Sequence, residues 1–139
     1  MTAPIELFLA EVRVADWAAS ARWYSEVLGL RPTLEDPEHR YSLLEAGPGR
    51  LALKEGPAVA DRGAVRLVFR VGDVDAERAR LAGLGVAVSA ATEGAEGYRE
   101  VRLADPDGTP IHLFAWVERP GPGPAEVAAG SPPGLSSSP

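Results

Sequence analysis

Val12-Arg13-Val14-Ala15-Asp16, followed by a run at helical spacing that closes on Leu28-Gly29-Leu30, recurs as Phe69-Arg70-Val71-Gly72-Asp73, followed by a run that closes on Leu84-Gly85-Val86. A repeat of about half the folded length marks two copies of one supersecondary unit. Each copy opens with strict alternation. Phe8, Ala10, Val12 and Val14 interleave with Leu7, Leu9, Glu11 and Arg13; Val65, Leu67, Phe69 and Val71 interleave with Ala64, Arg66, Val68 and Arg70. Both runs predict half-buried strands. Asp16 stands where it can cap a helix carrying Trp17, Ala21, Tyr24 and Leu28 on one face, with Gly29 at its end. Asp73 or Asp75 can cap a second helix through Leu84, stopped by Gly85. Short strands are expected at 31–35, 40–46 and 50–55, and again near 86–90, 98–104 and 110–117. Asp36-Pro37, Gly47-Pro48-Gly49 and Asp105-Pro106-Asp107-Gly108 supply turn chemistry between them.

The 139 residues are one domain's worth of chain, and 45% hydrophobic content can supply a core. A net charge of −6 argues against a nucleic-acid partner, whose phosphates demand a basic surface. Cysteine is absent, which excludes disulfides and thiolate metal sites. Met1-Thr2-Ala3-Pro4-Ile5-Glu6 lacks the basic-then-apolar signature of a signal peptide, and no apolar run approaches the length of about 18 residues that reads as a membrane span. The expectation is a cytoplasmic protein without a membrane partner. Asn and Gln are also missing and Lys54 is the only lysine, a bias that suits either a GC-rich genome or a heat-adapted source. Beyond Arg119, Pro120-Gly121-Pro122-Gly123-Pro124 and Ser131-Pro132-Pro133-Gly134 frame a tail with too little apolar surface to offset its ordering entropy. The expected layout is a folded domain over 4–119, with modules about 5–56 and 63–118, and a disordered tail over 120–139.

The order βαβββ-βαβββ, an Asp closing each first strand, Trp23-Tyr24-Ser25-Glu26-Val27-Leu28-Gly29-Leu30 ending the first helix, and Leu103-Ala104-Asp105-Pro106-Asp107-Gly108-Thr109-Pro110-Ile111-His112-Leu113-Phe114 closing the second module resemble the vicinal oxygen chelate superfamily. That group includes glyoxalase I, the extradiol dioxygenases and the bleomycin and fosfomycin resistance proteins. The resemblance covers nearly all of 5–117. It implies an α+β fold in which two tandem βαβββ modules form a cup-shaped mixed sheet, helices outside and ligand inside, completed by a homodimer. It also implies where a divalent metal would be held in the enzymes of the group, on the first and last strands of each module. Those positions read Leu9, Ala52, Arg66 and His112. Leucine and alanine cannot coordinate, arginine is permanently cationic, and one imidazole does not make a site that needs three or more protein ligands. His39 falls between strands, away from the cup; Glu11 would reach a ligand position only on a two-residue slip of the first strand. No metal and no other cofactor is expected.

Alternation assigns Leu7, Leu9, Glu11, Arg13, Ala52 and Lys54 to the cup from the first module, and Arg66, Val68, Arg70, Glu100, Arg102, His112, Phe114 and Trp116 from the second. The opposite set, Phe8, Val12, Val14, Leu67, Phe69, Val71, Ile111 and Leu113, is apolar and is expected under the helices. Four arginines and Lys54 outnumber Glu11 and Glu100, which suits an anionic small molecule gripped by guanidinium groups against the aromatic wall of Phe114 and Trp116. The alternative for these charges is ion pairing across a wet sheet surface or a subunit interface. The Trp23-Tyr24 pair reads as packing. Three functions remain: a metal-independent small-molecule-binding protein like the drug-resistance members; a metal-free lyase or isomerase with His112 as general base; and a non-catalytic partner or regulatory module. Elemental analysis of the purified protein should find no stoichiometric tightly bound iron, zinc, manganese or nickel; finding one would overturn the reading of the four ligand positions.

Overall fold

A computed structural model describes residues 4–57 and 62–117; the expected tail lies outside the described residues. Two compact units emerge. The first takes its described residues from 4–57 and Asp105–Asp107, the second from 62–104 and 108–117.

The first unit runs β1 (Ala10–Val14), α1 (Trp17–Glu26), β2 (Arg31–Asp36), β3 (Tyr41–Ala46) and β4 (Gly49–Glu55), in the sheet order β1-β4-β3-β2. β1 pairs parallel with β4, placing Val12 beside Leu53 and Arg13 beside Lys54; the other pairings are antiparallel. Asp16 caps α1 as expected, its carboxylate accepting from the Ala19 N–H at 3.1 Å. The helix covers the face that carries Val14, Ser42, Leu44, Leu51 and Leu53, all buried. Trp17 fixes it there: the indole N–H donates to Ser42 Oγ at 2.8 Å and the backbone N–H to Glu55 Oε2 at 3.1 Å. Gly29 leaves the helix at φ 77°, a conformation that glycine adopts without strain.

The second unit repeats the plan with β5 (Leu67–Arg70), α2 (Val74–Gly83), β6 (Thr92–Glu93), β7 (Tyr98–Ala104) and β8 (Pro110–Trp116), in the order β5-β8-β7-β6. β5 is parallel to β8, with Val68 beside His112 and Arg70 beside Phe114. Of the two candidate caps, Asp73 caps α2 by accepting from Ala76 N–H at 3.1 Å. Asp75 instead grips Arg99 of β7 through two bonds of 2.9 and 3.0 Å, which holds its carboxyl below the usual carboxylate range and places α2 over the Val101, Leu103, Ile111 and Leu113 face.

Both opening strands are shorter than their alternation predicts. β1 begins only at Ala10, because β4 starts at Gly49 and the next residue, Arg50, uses its side chain instead, donating to the Phe8 carbonyl at 3.0 Å and lying 4.5 Å over the Phe8 ring. Phe8, expected under a helix, is therefore 64% exposed, and Leu7 is exposed too. β5 begins at Leu67, because the residue that Arg66 would meet on β8 is Pro110, which has no N–H to give. The strand expected at 86–90 is absent: Ser89 Oγ accepts the Arg102 N–H at 2.9 Å where a ladder carbonyl would stand, and pairing with β7 resumes at Thr92–Glu93.

The Asp105-Pro106-Asp107 turn groups with the first unit rather than with the strands it joins. The buried Tyr24 hydroxyl donates to Asp105 Oδ2 at 2.7 Å, and Asp107 accepts from Ala15 N–H and from Ser20 Oγ. Tyr24→Phe removes a donor from a buried carboxylate and should cost about 1–3 kcal/mol, read as a fall in melting temperature of roughly 5–10 °C; an unchanged melting temperature would show the bond to be unimportant.

Candidate functional site

Strand pairing in the second unit gathers Val68 and Arg70 of β5, Tyr98, Glu100 and Arg102 of β7, and His112, Phe114 and Trp116 of β8 on the face opposite α2. Glu100 (6% exposed) and His112 (7%) are buried there, as are Tyr98 and Phe114. The Phe114 and Trp116 rings meet edge to face with centroids 5.4 Å apart, a preferred aromatic geometry that stiffens this wall. Tyr98 was not singled out from the sequence, although alternation back from Glu100 points to it. Its ring lies against Gly94 so closely that a Cβ there would fall 2.2 Å from Cζ, so only glycine leaves room for it. Burial raises the Tyr98 phenol above its usual pKa and keeps its proton in place.

The central contact is His112 Nδ1 to Glu100 Oε1 at 2.9 Å. Glu100 also receives Arg102 Nη2 at 3.4 Å through its other oxygen. Burial lowers the His112 pKa from the ordinary histidine value, against the opposing pull of the Glu100 carboxylate; Arg66 and Arg102 add to the lowering. A carboxylate that only accepts fixes the tautomer with the proton on Nδ1, leaving Nε2 as an acceptor. A neutral imidazole oriented by a carboxylate can accept a hydrogen bond or a proton.

The remaining sequence-derived candidates spread more widely. In the first unit Glu11, Arg13, Ala52 and Lys54 share the face opposite α1. Arg13 is ion-paired with Glu11 at 3.0 Å, and Lys54 donates to the His39 carbonyl. Leu9 precedes β1 and is half-buried; Arg66 precedes β5 and is exposed, as is Arg70. Two of the four arginines, Arg13 and Arg102, thus have a glutamate two residues away as partner; the Arg13–Glu11 pair is exposed and contributes little to stability, whereas the partner of Arg102 is the buried Glu100. Trp23 and Tyr24 meet edge to face at 5.1 Å with Tyr24 fully buried, in keeping with packing.

At the four positions where the resemblance drawn from the sequence would place a metal, His112 is the one coordinating side chain; Leu9, Ala52 and Arg66 offer no ligand atom, a set that does not suit a metal. Among the described residues, Asp36 at the end of β2 and Glu38 and His39 in the turn that follows form a grouping of metal-capable side chains, with His39 Nδ1 2.8 Å from Asp36 Oδ2. The cluster is largely exposed. Among the described residues no helix is long and apolar enough to cross a membrane.

Residues 9–114 match the family model of the glyoxalase-like domain. Among solved structures, the antibiotic-binding protein TnmS3 from Streptomyces sp. CB03234 is similar at 29% identity and a TM-score of 0.72, covering 84% of this chain and 99% of that one. An integron cassette protein from the mobile metagenome of the Halifax Harbour sewage outfall is 24% identical with a TM-score of 0.71, over 79% and 97% of the two chains. Lactoylglutathione lyase from Agrobacterium tumefaciens follows at 20% identity and 0.65, over 81% and 95%; the last two likenesses speak to fold alone. No curated protein sequence matches the chain.

The depressed His112 pKa makes a pH prediction. The unfolded chain takes up a proton near pH 6.5, about the ordinary histidine value, while the folded chain resists until lower pH. The stability this group contributes is therefore complete above that value and lost as pH falls through the folded pKa. Nitrogen-detected NMR should show His112 titrating below about 6.5, with the proton on Nδ1 in the neutral form; a midpoint at or above that value would contradict the assignment.

Proposed function

The chain belongs to the glyoxalase-like family of the vicinal oxygen chelate superfamily, and from that premise we propose that it is a metal-independent small-molecule-binding protein of the glyoxalase/bleomycin-resistance type. The observation that carries the reading is the α2-free face of the second unit. There β8 presents His112, Phe114 and Trp116 in alternation, with Arg70 beside Phe114. Aromatic rings with a few placed polar groups are what small-molecule sites are built from, and Arg70 with Arg66 and Arg102 favours an anionic or aromatic ligand. That TnmS3 is an antibiotic-binding protein supports sequestration of a small molecule, drug resistance included, as the role. Metal independence is supported by the donor chemistry of Leu9, Ala52 and Arg66.

The proposal includes a homodimer, since β1, β2, β5 and β6 are edge strands of their sheets and pairing of copies is one way to cover such edges. A second reading rests on the Glu100–His112 contact. An imidazole oriented by a carboxylate is the arrangement of a general base, and a metal-free lyase or isomerase would use it to take a proton beside a carbonyl, with Arg66 or Arg70 facing the developing oxyanion.

Naphthoate, a planar aromatic carboxylate, is a suitable probe. Calorimetry in the presence of excess EDTA should detect binding, and Trp116→Leu should weaken it by about 3–10-fold, the loss of one aromatic contact. Binding that disappears on chelation would remove metal independence. Absence of binding with or without the chelator would remove the anionic-aromatic reading.

A further inference from the structure

His112 is the one ionisable group on β8, and its two ring nitrogens have different surroundings. Nδ1 is committed to Glu100 Oε1 at 2.9 Å. The second oxygen of that carboxylate faces Arg102, so Glu100 is an acceptor at both oxygens and Nδ1 must carry the proton. Nε2 then presents a lone pair. Among the described residues no protein group donates to it, while the rings of Phe114 and Trp116 continue along the same face of the same strand. An acceptor that stays accessible on an otherwise buried imidazole, beside an aromatic wall, discriminates among ligands by what they donate. An ether or a bare carboxylate would set lone pair against lone pair there; a hydroxyl or N–H completes the bond.

We propose that His112 Nε2 is a specificity-determining acceptor, and that the face takes planar ligands presenting an O–H or N–H donor to β8. This rests on the binding reading above and goes beyond it: negative charge on the ligand is directed to the exposed arginines, and the donor is directed inward to His112. Burial supports the assignment, because it keeps the imidazole neutral and its Nε2 unprotonated. Glu100 is the positioning residue, since it holds the tautomer without touching the ligand.

The test compares a ring-hydroxylated naphthoate with its methyl ether, two probes of equal charge and nearly equal shape that differ in one donated proton. The hydroxylated probe should bind at least about tenfold more tightly, the cost of leaving an acceptor unpaired once a ligand covers it. Glu100→Gln can donate to Nδ1 and releases the tautomer, so this variant should shrink the ratio between the two probes, whatever it does to their absolute affinities. The wild-type comparison stands even if the variant does not fold. Equal affinity of the two probes would overturn the acceptor assignment and leave the anionic-aromatic reading intact. Failure of both to bind would overturn the two together.

Discussion

Parallel hydrogen bonding between the first and last strand of each module is the constraint on which the rest of the molecule depends. Once Val12 stands beside Leu53 and Val68 beside His112, the two-residue period of a strand decides every other side. Val14, Leu51 and Leu53 go beneath α1, and Val101, Ile111 and Leu113 beneath α2. Glu11, Arg13 and Lys54, or Arg70, Glu100 and His112, are left on the opposite faces. A slip of one residue would bury the arginines under a helix and expose the aliphatic set, so the hydrophobic pattern enforces the register that places the chemistry. The same pairing sets where the opening strands begin, because Gly49 and Pro110 limit what β1 and β5 can find to bond.

The two copies have kept one plan and divided its contents. Ala52 on β4 and His112 on β8 occupy matching places in the pairing: Ala52 faces Leu43 across its hairpin, and His112 faces Arg102. Both positions are buried, one with a methyl group and the other with an imidazole. Burying a polar ring costs free energy unless its polar atoms are matched, and Glu100 supplies that match at Nδ1. The polar content of the second face is therefore held by side chains that define one another's orientation. In the first unit the charges lie at the exposed margin, where Glu11 and Arg13 satisfy each other.

Local patterning made most of this readable from the sequence. Alternation assigned Glu11, Arg13, Lys54, Arg70, Glu100, Arg102, His112, Phe114 and Trp116 to faces opposite the helices, and the Asp before each apolar run identified Asp16 and allowed Asp73 as caps. Features that depend on partners far along the chain were not readable. Nothing in Phe8 or Val65 says that their neighbouring strands give out at Gly49 and Pro110. Ser89 looks like a strand residue until its hydroxyl is seen taking the Arg102 N–H. Asp105 and Asp107 read as turn formers, which they are, but their carboxylates serve Tyr24, Ser20 and Ala15 at separations of 81 to 92 residues. Side-chain bonds across such distances have no periodicity to betray them.

That last group of bonds bears on the history of the repeat. A duplicated half that folded alone would carry its own acceptor for every buried hydroxyl. Here the first unit borrows Asp105–Asp107 from the far end of the second copy, and a fragment ending at the inter-module segment would leave Tyr24 without its Asp105 acceptor. The matching position of the second copy is the buried Leu81, which needs no acceptor, so the two copies are not interchangeable and a cut at their junction separates this donor from its acceptor.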